Sequence, residues 1–224
     1  MAKGGRHRPA ENHRATYHQE NKSRGLDEFE GRTCQELLEK GKSLYQAALS
    51  IDEDAVEEAY TFLERAREKC SENTLLNAYY AASTILMSNF ARSLVETGKM
   101  VYKSLNILDE SVALEDSVEI RKLRGYLCLN LPTHFNRIGT AIEDLRYLQS
   151  YYQNNPDRYS AQDYEKVSND LIKAQEIQKT IPPHIQKLMD GFSNRYKKSA
   201  DSKNDTASKK VAYSNVRHSR KKGR

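Results

Sequence analysis

The sequence predicts an all-α fold: an antiparallel helix-hairpin array, an α-solenoid of about eight helices over residues 25–198, between disordered basic tails at 1–24 and 199–224. Three observations carry that prediction. Apolar residues recur at three- and four-residue spacing through most of the chain, the period of a helix with one buried stripe. No segment alternates apolar and polar residues between turn signals, as a half-buried strand would. Helix pairs begin near residues 33, 73, 117 and 160, and a repeat of 40–44 residues is the signature of stacked helical hairpins.

Order begins at Thr33, because Thr33 and Glu36 have capping-box spacing, in which each side chain satisfies a backbone N–H left free by the first turn. The stripe that follows is Leu37, Leu38, Gly41, Leu44, Tyr45, Ala48 and Leu49. Asp52, Glu53 and Asp54 place carboxylates at the positive dipole end of a second helix, whose stripe is Ala55, Val56, Ala59, Leu63, Ala66 and Cys70. After Asn73 a third helix carries Leu75, Leu76, Tyr79, Ala82, Leu86 and Met87, and a fourth is marked by Phe90, Leu94, Val101, Leu105 and Leu108. Asp116 and Glu119 offer a box-like start for the fifth, with Ile120, Leu123, Leu127 and Leu131 before Pro132 stops it. Ile138, Ala141, Ile142, Leu145, Leu148 and Tyr152 make the sixth, which Asn154–Pro156 ends. Ser160 and Asp163 open the seventh, with Tyr164, Val167, Leu171, Ala174 and Ile177. Pro182 and Pro183 separate it from an eighth bearing Ile185, Leu188, Met189, Phe192 and Tyr196.

At 224 residues, 38% of them hydrophobic and 30% charged, the chain suits one array in which each helix buries a single stripe, with tails, rather than two large cores. Its net charge of +5 is unevenly spread. Residues 1–24 hold six Lys/Arg against two Glu, and residues 195–224 hold eleven against two Asp, which leaves −8 on the stretch between. No run approaches the roughly 18–20 apolar residues of a membrane helix, and the basic stretch Met1–Pro9 lacks the apolar region of a secretory signal. The expectation is a cytoplasmic chain without membrane insertion. Cys34, Cys70 and Cys128 are odd in number and set within apolar helix patterns, which predicts buried free thiols rather than a disulfide framework.

Two second helices share a pattern, Ala59-x3-Leu63-x2-Ala66 and Ala141-x3-Leu145-x2-Leu148, and each follows a first helix with a glycine, Gly41 or Gly125. Over about residues 34–153 the chain resembles the tetratricopeptide repeats. It departs from them in having no Trp and in a period longer than the usual ~34 residues. The resemblance implies hairpins that stack with their first helices lining a concave face, Gly41 and Gly125 at close approaches, and a peptide or protein partner on that face. Asn77, Tyr80, Arg121 and Arg124 are the candidate partner contacts, the amide and guanidinium groups being suited to acidic groups.

Signatures of catalysis are missing: the sequence has no phosphate-cradling glycine motif, no G-x-S-x-G elbow, no H-E-x-x-H and no C-x-x-C. His7, His13 and His18 lie in the basic N-terminal tail, and His134 and His184 stand beside helix boundaries, as solvated or capping residues. No metal or cofactor is expected. Fourteen tyrosines against five phenylalanines is the unusual bias, with Tyr79, Tyr80, Tyr147, Tyr151 and Tyr152 suited to helix seams and to a binding groove alike. In the C-terminal tail Lys209, Lys210, Arg217, Arg220, Lys221, Lys222 and Arg224 are candidate phosphate or nucleic-acid contacts. The sequence therefore predicts a non-enzymatic scaffold or adaptor that binds a peptide or protein in a helical-repeat groove. The alternative is an RNA- or ribosome-associated factor that uses its basic tails.

Overall fold

The computed structural model describes residues 29–191, and among them every regular element is helical. The helices are α1 (Cys34–Ala48), α2 (Glu53–Lys69), α3 (Thr74–Met87), α4 (Leu94–Leu114), α5 (Val118–Asn130), α6 (Ile138–Asn154) and α7 (Ala161–Thr180). A further helix, α8, covers 183–191, and short 3-10 turns occupy Ser88–Phe90 and Thr133–Phe135. Both expected tails, with Phe192 and Tyr196 of the eighth stripe, lie outside the described residues.

Local chemistry sets most boundaries. Thr33 closes a capping box on α1, its N–H donating to Glu36 Oε2 at 2.7 Å while Glu36 N–H donates to Thr33 Oγ1 at 3.3 Å. Ser160 and Asp163 repeat the arrangement on α7 at 3.0 and 3.1 Å. Asp52 caps α2 by accepting from Ala55 N–H, and Asn73 caps α3 by accepting from Leu76 N–H. Two starts differ from the sequence expectation. The cap of α5 is Ser117, not Asp116, because the Asp116 carboxylate is drawn to Arg121. The fourth helix begins after Ser93 rather than at Phe90, so Leu94 is 90% exposed and the buried stripe starts at Val101. Between α1 and α2 the chain turns at Ile51 with φ 58°, a left-handed conformation that crowds a β-branched side chain.

Each helix from α1 to α7 packs against the next, and in addition α1 touches α3 and α3 touches α5. Helix α3 is thus covered by α1, α2, α4 and α5. Its sequence fits the place: no charge, and Ala78, Ala81, Ala82 and Ser83 buried beside Leu76, Ile85 and Leu86 where neighbours approach from several sides. The two glycines singled out in the sequence sit at close approaches. A Cβ on Gly41 would lie 2.5 Å from Leu63 Cδ2, and one on Gly125 would lie 2.9 Å from Asp144 Cβ.

The free-thiol expectation is corrected at two of three positions. Cys34, the first residue of α1, and Cys70, which ends α2, form a disulfide with their Cα atoms 5.8 Å apart. Their partnership is set by how the first helix pair closes, which a separation of 36 residues does not reveal. Lys69 reinforces the same end, its ammonium donating to the carbonyls of Phe29 and Arg32 at 2.6 and 2.8 Å. Cys128 is a buried free thiol, and burial pushes it up to about 11, far from a reactive thiolate.

Candidate functional site

A groove of about 1470 Å³ is lined from α1, α3, α5, α6 and α7. Its walls are tyrosine-rich: Tyr45, Tyr79, Tyr126, Tyr147, Tyr151, Tyr152 and Tyr159 all contribute. Five carboxylates (Glu39, Glu115, Asp116, Glu119 and Asp163) face three lysines (Lys42, Lys122 and Lys166).

One end is tied across three helices. Tyr45 of α1 meets Tyr79 of α3 edge to face, ring centroids 5.4 Å apart. The Tyr79 hydroxyl donates to Glu119 Oε1 of α5 at 2.7 Å, and Lys42 Nζ of α1 lies 3.0 Å from the same carboxylate. Burial pushes the Tyr45 phenol up to about 12. It also raises Tyr79, with the bond to Glu119 acting in the same direction. Burial opposes the charge on Lys42, yet the bonds and charges of Glu119 and Glu39 outweigh it and leave the ammonium above its ordinary value.

The other end is an aromatic cluster. Tyr147 and Tyr151, one turn apart on α6, stack with centroids 6.2 Å apart. Tyr159, in the connection to α7, stacks on Tyr152 at 4.0 Å and meets Tyr151 edge-on at 5.9 Å. Cations already rest on rings of this wall, with Arg121 4.6 Å from the Tyr147 centroid and Lys166 4.5 Å from that of Tyr126.

The four sequence-predicted contacts are not brought together on the groove lining. Asn77 accepts from Arg67 Nε at 2.9 Å and donates to the Ser71 carbonyl, which ties α2 to α3. Tyr80 is buried beside Tyr60, with Arg67 over its ring. Arg121 and Arg124 do hold acidic groups, but those of their own chain. Arg124 makes a two-pronged bond to Asp144, 2.8 Å on each prong, and reaches Asp109 at 3.1 Å. Arg121 binds Asp116, Glu143 and Asp144. Asp144 is fully buried, so burial pushes its carboxyl up against the pull of Arg124 and Arg121. The network fastens α6 to α5 behind the groove. The groove's cation on α5 is instead Lys122, one residue or 100° further round.

Of the five tyrosines that the sequence offered to helix seams and to a groove alike, Tyr79, Tyr147, Tyr151 and Tyr152 line the groove and Tyr80 does not, while Tyr45, Tyr126 and Tyr159 line it without having been singled out. An acid and the lysine three residues after it both line the groove at Glu39/Lys42 on α1, Glu119/Lys122 on α5 and Asp163/Lys166 on α7, but the same spacing at Glu96/Lys99, Asp170/Lys173 and Glu176/Lys179 lies off it, so the pattern alone does not mark the inner face. A smaller apolar hollow of about 630 Å³ lies between α4, the Thr133–Phe135 turn and α8. Among the described residues no three His, Cys, Asp or Glu side chains come together as a metal site, and no helix is long and apolar enough to cross a membrane. The tail cations proposed for nucleic acid, Lys209 to Arg224, lie outside the described residues. Compared with protein-family models, curated proteins and solved structures, the chain matches none.

Proposed function

We propose that the protein is a peptide-binding scaffold, a tetratricopeptide-like α-solenoid whose first helices present the tyrosine-lined groove to an extended segment of a partner. The observation that carries this reading is the groove itself: α1, α3, α5 and α6, with Tyr159 of the connection to α7, contribute polar-tipped rings to one wall. Tyrosine suits recognition because a large ring is buried with only two side-chain torsions to fix, while the hydroxyl satisfies a peptide amide or carbonyl. The contacts of α1 with α3 and of α3 with α5 support the solenoid part, since stacked hairpins align their first helices in this way.

The test is selection of peptides from an immobilised random library by the full chain, cleared of nucleic acid with nuclease. Tyr151→Ala and Tyr159→Ala should each weaken the selected peptides about tenfold, the loss of one aromatic anchor worth ~1–2 kcal/mol. Ile172→Ala, at an exposed site on α7 away from the groove, should leave binding unchanged. Peptides that bind equally well to all three variants would remove the groove from the account.

A further inference from the structure

Charge and position together bear on what the groove can hold. Residues 29–191 carry 19 Lys/Arg against 25 Asp/Glu, while residues 192–224 carry eleven against two. The groove shares the acidic excess, five carboxylates against three lysines, and its ion pairs offset both signs: Lys42 lies 3.4 Å from Glu39 and 3.0 Å from Glu119, Arg121 holds Asp116, and Lys166 lies 2.9 Å from Asp170 outside the lining. Its rings are cation platforms already in use, beneath Arg121, Lys166 and, at 5.9 Å, Lys42. A segment that alternates cations with hydrogen-bonding side chains complements such a wall better than an acidic or a purely apolar one.

Reach is also satisfied. Asp190 near the end of α8 accepts from Asn136 Nδ2 at 2.7 Å, in the connection between α5 and α6. Asn130, at the start of that connection, lines the groove. Six residues separate Asn130 from Asn136, a span of at most ~20 Å, whereas the eighteen residues from 191 to 209 can cover ~60 Å.

We propose that the groove takes the chain's own basic segment, residues 209–224, and that a partner peptide binds by displacing it. The proposal rests on the peptide-binding reading and adds its regulation: the segment is a tethered competitor. A tether of this length sets an effective concentration on the order of 1 mM, so a segment with an intrinsic affinity of roughly 0.1 mM weakens a competing peptide about tenfold.

Two measurements on the nuclease-treated full chain decide it. Zero-length carbodiimide coupling joins lysine amines to carboxylates in contact, and an equal mixture of isotopically heavy and light chains separates bonds within one molecule from bonds between two. The expected products are intrachain links from Lys209, Lys210, Lys221 or Lys222 to Glu39, Glu115 or Glu119, which fade as salt rises. Links formed only between chains, or tail links that avoid the groove, overturn the proposal. In the second measurement the seven cations Lys209, Lys210, Arg217, Arg220, Lys221, Lys222 and Arg224 are replaced by Gln in the full chain. Library-selected peptides should then bind about tenfold more tightly. An unchanged affinity that Tyr151→Ala still lowers overturns self-occupancy and leaves the groove's function standing, whereas loss of sensitivity to Tyr151→Ala in both chains removes the groove reading itself.

Discussion

Tyrosine hydroxyls on the groove wall are held protonated by burial, and the consequence is a distinct alkaline response. Burial pushes Tyr45 and Tyr152 up to about 12 and raises Tyr79 as well, where Glu119 accepts its proton. An unfolded tyrosine ionises near ~10. Below that value both states keep the proton and the contribution to stability is complete. Between about 10 and 12 the unfolded chain releases protons that the fold retains, so stability falls as pH rises through this window. Tyr45, Tyr79 and Tyr152 should therefore add their tyrosinate absorbance late, above the ordinary range, with the melting temperature dropping across the gap. A single wave near 10 from all fourteen tyrosines, with helicity intact, would contradict the packing of these rings. Arg121 and Lys122 mark the limit of reading at this scale. The sequence makes both basic and on one helix, but only the rotation of α5 against α6 decides that Arg121 serves the buried Asp144 while Lys122 faces the groove.

Helices were legible where the determinants are local. Thr33 with Glu36 and Ser160 with Asp163 fix two starts within a span of four residues, and the apolar stripes fix which face is buried. The start of α5 differed by one residue: Asp116 has cap chemistry, but its carboxylate pairs with Arg121 five residues on, and Ser117 does the capping. Gly41 and Gly125 were marked as close approaches by the tetratricopeptide resemblance and not by glycine content, since Gly98 and Gly139 also lie in helices yet have nothing within 4 Å of a new Cβ. A comparison of helix-interior glycines tests that distinction. Around Gly98 on α4 a new Cβ meets nothing within 4 Å, so Gly98→Ala should stabilise the fold by about 0.5–1 kcal/mol through helix propensity alone. At Gly125 the same gain is opposed by a contact at 2.9 Å with Asp144 Cβ, and Asp144 is anchored by Arg124 and cannot swing aside. Overpacking there should prevail, with a net loss of about 1–2 kcal/mol in urea unfolding. Equal stability changes for the two substitutions would show that α5 and α6 part without cost.

The assembly of the whole molecule was the least legible level, because its contacts join residues far apart in sequence. The acid-x2-lysine pattern on α1, α5 and α7 becomes one wall only when those helices border the same groove. Cys34 and Cys70 look like two more apolar positions until the first helix pair closes and brings the start of α1 to the end of α2. The disulfide then acts on the unfolded state. Joining residues 36 apart removes loop entropy from the open chain, worth about 3–4 kcal/mol in the chain-entropy treatment. Since α2 packs on both α1 and α3, and α3 on α4 and α5, that gain is transmitted to the cooperative unit rather than confined to one hairpin. Reduction, or the pair Cys34→Ser with Cys70→Ser, should lower the unfolding free energy from urea titration by an amount of this order, with the midpoint falling accordingly, while leaving the helical circular dichroism of the folded state unchanged. The reducing agent should have no further effect on the double variant, because Cys128 is a buried thiol without a partner sulfur. A midpoint insensitive to reduction in the natural chain, or a loss of helicity confined to α1 and α2 before the rest unfolds, would mean that the first pair is not coupled to the remaining helices.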